Sequence, residues 1–277
     1  MINVINYHLT SNCNYRCVYC FGKFKKGVPT FEQACKIVDS VNDYFKKNHI
    51  VDGRINLAGG EPLSCTYLDD LIDYICECGI KVSVITNGSM LTEEKIKSWA
   101  GKVEMIGLSV DSLKPETNRM IGRRCNEKTI SIEQLAQLAQ AIHRADILLK
   151  INIVVSKLNM QEDFTELYKQ LKPDRFKFLQ MERVKKINDK AQKYAIDKQE
   201  YSDFCNRHKE CKIVSESSDM MENSYPMIDP KGRVLLNDRG KYKRYGNCIK
   251  KKFNQIIKRI PLDQGKFDKR YENKKAC

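Results

Sequence analysis

The chain has 277 residues, 42% hydrophobic and 30% charged, enough for one large α/β domain or two small ones. No stretch approaches the roughly 18 apolar residues of a membrane span. The start, Met1-Ile2-Asn3-Val4-Ile5-Asn6, lacks the basic-then-apolar pattern of a secretory signal, so the expectation is a soluble cytoplasmic protein with no membrane attachment. The formal charge of +14, from 49 Lys and Arg against 35 Asp and Glu, fits a solvated basic surface, an anionic small substrate or nucleic acid, and charge alone does not choose.

Short apolar runs alternate with amphipathic stretches. Asn3–Leu9 reads as a strand and Thr30–Lys47 as a helix, with Thr30 as N-cap after Pro29. Arg54–Leu57 is a strand ending at Gly59-Gly60, and Tyr67–Cys78 is a helix stopped by Gly79. Lys81–Ile85 reads as a strand, Thr92–Trp99 as a helix capped by Thr92, and Met105–Ser109 as a strand. Then come a helix over Ile130–Arg144, a strand over Leu148–Val155, a helix over Met160–Leu171, a strand over Arg175–Met181 and a helix over Lys198–Glu210. This rhythm implies parallel strands joined by right-handed crossovers. About six units fit before residue 182, too few for a closed eight-stranded barrel. The expected fold is therefore α/β, a partial (β/α)6 barrel over 1–182 with chemistry at the C-terminal strand ends. A lysine-rich extension over 183–277 covers the mouth, with a flexible tail after about 260.

Three of the 12 cysteines fall within eight positions, which fits a metal site in a reducing compartment better than disulfides. Cys13, Cys17 and Cys20 follow the first strand with C-x3-C-x2-C spacing. Thiolates are soft ligands suited to iron–sulfur clusters. Three of them can hold three irons of a [4Fe–4S] cubane and leave the fourth open to the amine and carboxylate of S-adenosylmethionine. A structural zinc with a fourth ligand from His8 or a remote cysteine is the alternative.

The triad, with Tyr19 before its last cysteine, resembles that of the radical S-adenosylmethionine superfamily. So does Asn56-Leu57-Ala58-Gly59-Gly60-Glu61-Pro62, where the superfamily holds the methionyl amine and where glycines let backbone approach a ligand. The resemblance implies cofactor contacts at Tyr19, Gly59, Gly60, Glu61, Asn87, Ser109 and Arg123. The superfamily's motif usually begins with Ser, and here the position is Ala58.

A narrower resemblance, over residues 3 to about 240, is to the viperin family. It runs through Cys13–Phe21, Arg54–Pro62, Asp111-Ser112-Leu113, Ile121-Gly122-Arg123, Lys150-Ile151-Asn152 and Arg175–Gln180. It continues into Arg207-His208-Lys209, Glu216-Ser217 and Ser224–Asp229 of the extension. It implies an antiviral-type enzyme, a lyase that turns a nucleoside triphosphate (CTP, UTP or GTP) into its 3′-deoxy-3′,4′-didehydro analogue. H4′ is abstracted and the 3′-hydroxyl leaves as water. An external one-electron donor such as flavodoxin or ferredoxin is implied, with no stable nucleic-acid partner. Tyr225 matches a tyrosine implied in final proton delivery, and a packing role is its plainer reading.

The residues support an anion site independently. Lys150 and Asn152 are two apart on one strand and share a face, as do Arg175 and Lys177 on the next. With Arg54 they would line a lumen whose cations attract phosphate oxygens. Two rival readings stand beside this one. Another radical enzyme, an activase or a peptide-modifying maturase, could use Cys205, Cys211 and Cys248 for a second cluster. A basic nucleic-acid-binding protein could carry a structural zinc.

Overall fold

The computed structural model describes residues 1–22, 24 and 27–271. The barrel wall begins with β1 (Val4–Thr10), α1 (Phe31–Lys47), β2 (Arg54–Gly59), α2 (Leu68–Glu77), β3 (Lys81–Thr86), α3 (Glu93–Ser98) and β4 (Val103–Ser109). It continues with α4 (Pro115–Ile121), α5 (Ile132–Arg144), β5 (Leu148–Val155), α6 (Thr165–Leu171) and β6 (Arg175–Gln180). Strands β1 to β6 are consecutive and parallel, the expected partial (β/α)6 arrangement.

Local chemistry sets these elements. Thr30 and Ser131 close capping boxes with Gln33 and Gln134 at the starts of α1 and α5. All seven residues of β1 are buried, as befits a strand covered on both faces. The helix α4 has no counterpart in the sequence reading. It is a short element begun by Pro115 and ended by Gly122 at φ +86°.

After residue 182 the chain does not form a separate layer. Helix α7 (Lys198–Arg207) returns the chain to β7 (Ile213–Glu216), which pairs parallel with β6. Beyond α8 (Ser218–Met221), the short β8 (Met227–Ile228) pairs parallel with the other side of β1. The hairpin of β9 (Arg233–Asp238) and β10 (Lys241–Asn247) adds on to β8, giving a ten-stranded sheet ordered β10-β9-β8-β1-β2-β3-β4-β5-β6-β7. Helix α9 (Phe253–Ile257) packs on α1, with the Phe253 ring edge-on to Tyr44 at 5.3 Å. The stretch after 260, expected as a flexible tail, carries helix α10 (Gln264–Tyr271), with Phe267 and Arg270 buried. Residues 272–277 lie outside the described residues. Arg270 can be buried because it meets the Glu216 carboxylate inside, at 2.8 Å.

Candidate active site

The C-terminal ends of the strands open into a cavity of about 260 Å³. Cys13, Cys17 and Cys20 line its upper end together with Tyr19, Gly59, Gly60, Asn87, Ser109 and Arg123. Asn152, Lys150, Lys177, Tyr225, Arg270 and Tyr271 line the rest. A larger surface groove of about 1200 Å³ runs between the loop after β3 and α5, but it holds none of the three thiols.

The cysteine loop is fixed by backbone. The Arg16 and Val18 amides donate to the carbonyls of Gly122 (3.0 Å) and Ile121 (2.8 Å) at the end of α4. The Gly60 and Glu61 amides donate to Thr10 and Asn12, each at 2.7 Å. These contacts leave no room for side chains. A Cβ on Gly60 would meet the Asn12 carbonyl oxygen at 1.9 Å, and one on Gly122 the Arg16 carbonyl at 2.4 Å. The extension closes the other side, where Asn188 Nδ2 donates to the Tyr19 carbonyl at 3.0 Å and the Tyr242 hydroxyl to that of Phe21 at 3.2 Å.

The Glu61 side chain braces the site from outside the cavity. It is fully buried and turned away from the cavity. Its carboxylate accepts from Thr86 Oγ1 (2.6 Å) and the amides of Asn87 (2.8 Å) and Leu63 (3.2 Å). It therefore locks the end of β3 in place so that Asn87 faces the thiols, with Nδ2 at 3.9 Å from Cys13 Sγ. Arg123 is buried against Asp111 at 3.0 Å, with its guanidinium 5.5 Å from the Tyr15 ring centre and Nη1 4.0 Å from Cys17 Sγ. Burial pushes the Cys17 thiol up to about 12 although Arg123 acts against it, so iron binding there must expel a proton.

The cation end is assembled from distant segments. Register places Lys150 beside Arg175 and Asn152 between Ser109 and Lys177. Lys177 is ion-paired with Glu216 of β7, whose second oxygen meets Arg270 of α10 at 2.8 Å. The Arg270 guanidinium also lies 4.9 Å from the centre of the half-buried Tyr225 ring. Burial, together with Lys177 and Arg175, pulls the Lys150 ammonium well below its ordinary range. Burial also lowers Lys177, to about 7, against the opposing pull of Glu216. Glu216 is itself held low, because Lys177 and Arg270 together outweigh its burial.

Two of the expected cations stand behind this end without lining it. Arg54 pairs with Glu104 at 2.9 Å, and Arg175 donates to the Arg270 carbonyl at 2.6 Å. Neither lines the cavity. Both belong to the right strand face but sit at the strand starts, a full step below the open ends. Sequence reasoning missed Glu216 and Arg270 as site residues, and also Asn6, whose Nδ2 donates to the Tyr271 hydroxyl at 2.8 Å. Alternation along β1 places Asn6 and His8 on one face, but the contact with Tyr271 spans 265 residues and no local pattern announces it.

Among the described residues no three His, Cys, Asp or Glu side chains gather around a single ion, and Cys205, Cys211 and Cys248 pack into the apolar core. A cubane asks something else, one thiolate per iron on separate corners. The three thiols, facing one cavity beside a glycine cradle that admits no Cβ, suit that demand.

A partial barrel whose first strand runs into such a loop defines a class, and the radical SAM superfamily model matches residues 7–171. An S-adenosylmethionine-dependent nucleotide dehydratase of Flammeovirga pacifica is 31% identical over 96% of this chain and 93% of its own. One from a Thermoplasmatales archaeon is 32% identical over 94% and 89%. Among solved structures, Streptococcus suis SuiB bound to S-adenosylmethionine superposes with a TM-score of 0.68 at 16% identity, covering 96% of this chain and 67% of that one. The chain belongs to the radical SAM superfamily and, within it, to the family of the S-adenosylmethionine-dependent nucleotide dehydratases. The family implies a [4Fe–4S] cluster and S-adenosylmethionine as cofactors. No helix among the described residues is long and apolar enough to cross a membrane.

Proposed function

We propose that the protein dehydrates a nucleoside triphosphate to its 3′-deoxy-3′,4′-didehydro analogue. The observation that carries this reading is one cavity with three thiols at one end and buried Lys177 and Arg270, with Lys150, at the other. When bound, the cluster and S-adenosylmethionine supply one-electron chemistry that removes a hydrogen atom from an unactivated carbon. The chain's own residues do the rest. Lys150, Lys177 and Arg270 are the cations for the phosphate oxygens, and charge-assisted bonds of this kind are the strong ones. Asn152 and Ser109 offer polar groups between the two ends. Tyr225, its phenol raised by burial and its ring held against Arg270, is placed to pass a proton to the leaving 3′-hydroxyl, which departs as water while one electron from the external carrier completes the double bond. The nucleotide thereby loses the elements of one water, the hydrogen from C4′ and the hydroxyl from C3′. A soluble one-electron carrier such as flavodoxin or ferredoxin is the protein partner this chemistry needs.

The test is an anaerobic incubation of the reconstituted protein with S-adenosylmethionine and dithionite, offering CTP, UTP, GTP and ATP separately, read by mass spectrometry. The expected result is 5′-deoxyadenosine formed together with a nucleotide lighter by one water. Deoxyadenosine formation that no nucleotide stimulates, with all four nucleotides unchanged, would overturn the reading.

A further inference from the structure

His8 stands out among the cavity residues because its imidazole is 3% exposed and neither ring nitrogen has a hydrogen-bond partner among the described residues. Buried polar atoms are nearly always paired, and an unpaired one costs about 1–3 kcal/mol. The ring is not loose. Phe24, Phe21 and Tyr225 meet it edge-on at 4.9, 6.2 and 6.4 Å between centres. Its lateral neighbour on β2 is Ala58, which offers no side-chain partner. Asn6, two residues before His8 on the same face of β1, is already occupied by Tyr271 and Asn56. A positioned, unsatisfied donor and acceptor facing a cavity points to a ligand.

The charge state narrows the ligand. Burial with no opposing carboxylate pulls the imidazole down to about 4, so it is neutral and presents one N–H and one lone pair. That set suits hydroxyl groups better than a phosphate, which asks for donors only. Location narrows it further. A Cβ on Gly22 would lie 3.6 Å from both His8 Nδ1 and the Gly59 carbonyl, so the ring stands beside the glycine cradle. It also packs on Phe21, the residue after Cys20. Of the phosphate cations, Lys150 and Lys177 come from β5 and β6, four and five strands from β1 in the sheet order, and Arg270 lies over the Tyr225 ring that packs on His8. The part of a nucleotide that must lie at the thiol end is the sugar, where the hydrogen is removed.

We propose that His8 binds the sugar hydroxyls of the substrate and is a specificity-determining contact for a ribonucleotide. The proposal rests on the nucleoside triphosphate reading above. It is tested by calorimetric titration of the reconstituted protein with the nucleotide selected by the mass-spectrometric assay, with its 2′-deoxy and 3′-deoxy forms, and with inorganic tripolyphosphate. The native protein is expected to prefer the ribonucleotide over at least one deoxy form by about tenfold or more, as befits a lost bond that leaves a buried group unpaired. His8→Phe should bind all three nucleotides alike while keeping native affinity for tripolyphosphate, which shows the fold and cation end intact. His8→Asn, retaining a donor and an acceptor, should recover part of the preference. A native preference that survives in His8→Phe, or no preference in the native protein, overturns the role of His8 and leaves the dehydratase reading standing. Failure of the native protein to bind any nucleoside triphosphate overturns that reading, and this one with it.

Discussion

The two ends of the cavity are built by opposite means. The thiol end is a contiguous loop of eight residues, held by main-chain hydrogen bonds to α4 and to the end of β2, with glycines where backbone meets backbone. The cation end has no contiguous motif. It gathers side chains from β5, β6, β7 and α10 and keeps them in place by charge balance around Glu216. The first end fixes position and leaves chemistry to what binds there. The second stores charge, and a buried cation group with one carboxylate remains in want of an anion. On the reading proposed above, a triphosphate meets that want.

The sharpest way to break this contrast is at the thiol end. Cys17→Ala should abolish 5′-deoxyadenosine formation and lower iron content after reconstitution. Cofactor cleavage at the native rate would remove the loop from the chemistry. At the cation end, Lys150→Ala and Lys177→Ala should each weaken nucleotide binding by about 1.5–3 kcal/mol, the cost of a charge-assisted bond. Arg175→Ala, outside the cavity, should change affinity far less, and equal losses at Arg175 and Lys177 in a titration would show that depth in the barrel is immaterial. Gly122→Ala tests the backbone brace. A non-glycine residue at φ +86° costs of order 1–3 kcal/mol before any clash with Arg16, so thermal unfolding should come earlier and iron be lost faster. Tyr225→Phe should lower the yield of dehydrated nucleotide per deoxyadenosine formed. A native ratio would reduce Tyr225 to a packing residue.

The smallest effect is on pH. Burial holds Lys177 at about 7 against an ordinary value of 10.5, with Glu216 offsetting only part of it. The folded chain therefore binds fewer protons than the unfolded one between those values, and this group's contribution to stability rises with pH across that window. Triphosphate favours the charged form. Nucleotide affinity should accordingly fall above pH 7, by no more than about tenfold per unit. Binding at pH 8 should take up protons, measurable by calorimetry in buffers of different ionisation heat. Proton release instead would place the shift on another group.

The thiol end was legible in the sequence because all its parts are local. Spacing gives the triad, and a glycine pair at a strand end gives the cradle. The shared face of Lys150, Asn152 and Lys177 was legible too, because strand periodicity is two. Depth was not. Arg54 and Arg175 obey the same periodicity, yet two residues along a strand separate the cavity from its floor, where Glu104 and the Arg270 carbonyl await them. The motif position of Glu61 gave no hint that its carboxylate binds Thr86 and the Asn87 amide. Nothing in a lysine-rich C-terminal stretch distinguishes Arg270 from its exposed neighbours until β7 brings Glu216 to it.

The seating of β8 against β1 has a consequence in time. Asn6 of the first strand donates to the carbonyl of Pro226, 220 residues further on. At synthesis rates of roughly 5–20 residues per second, the outer edge of β1 waits on the order of 10–40 s for its neighbour. Through that interval a strand destined for full burial presents unpaired amides and carbonyls along one edge. A chain cut before Met227 should leave that edge open permanently. A chaperone that shields the first strand should raise the soluble yield of the full-length protein more than any change at its surface.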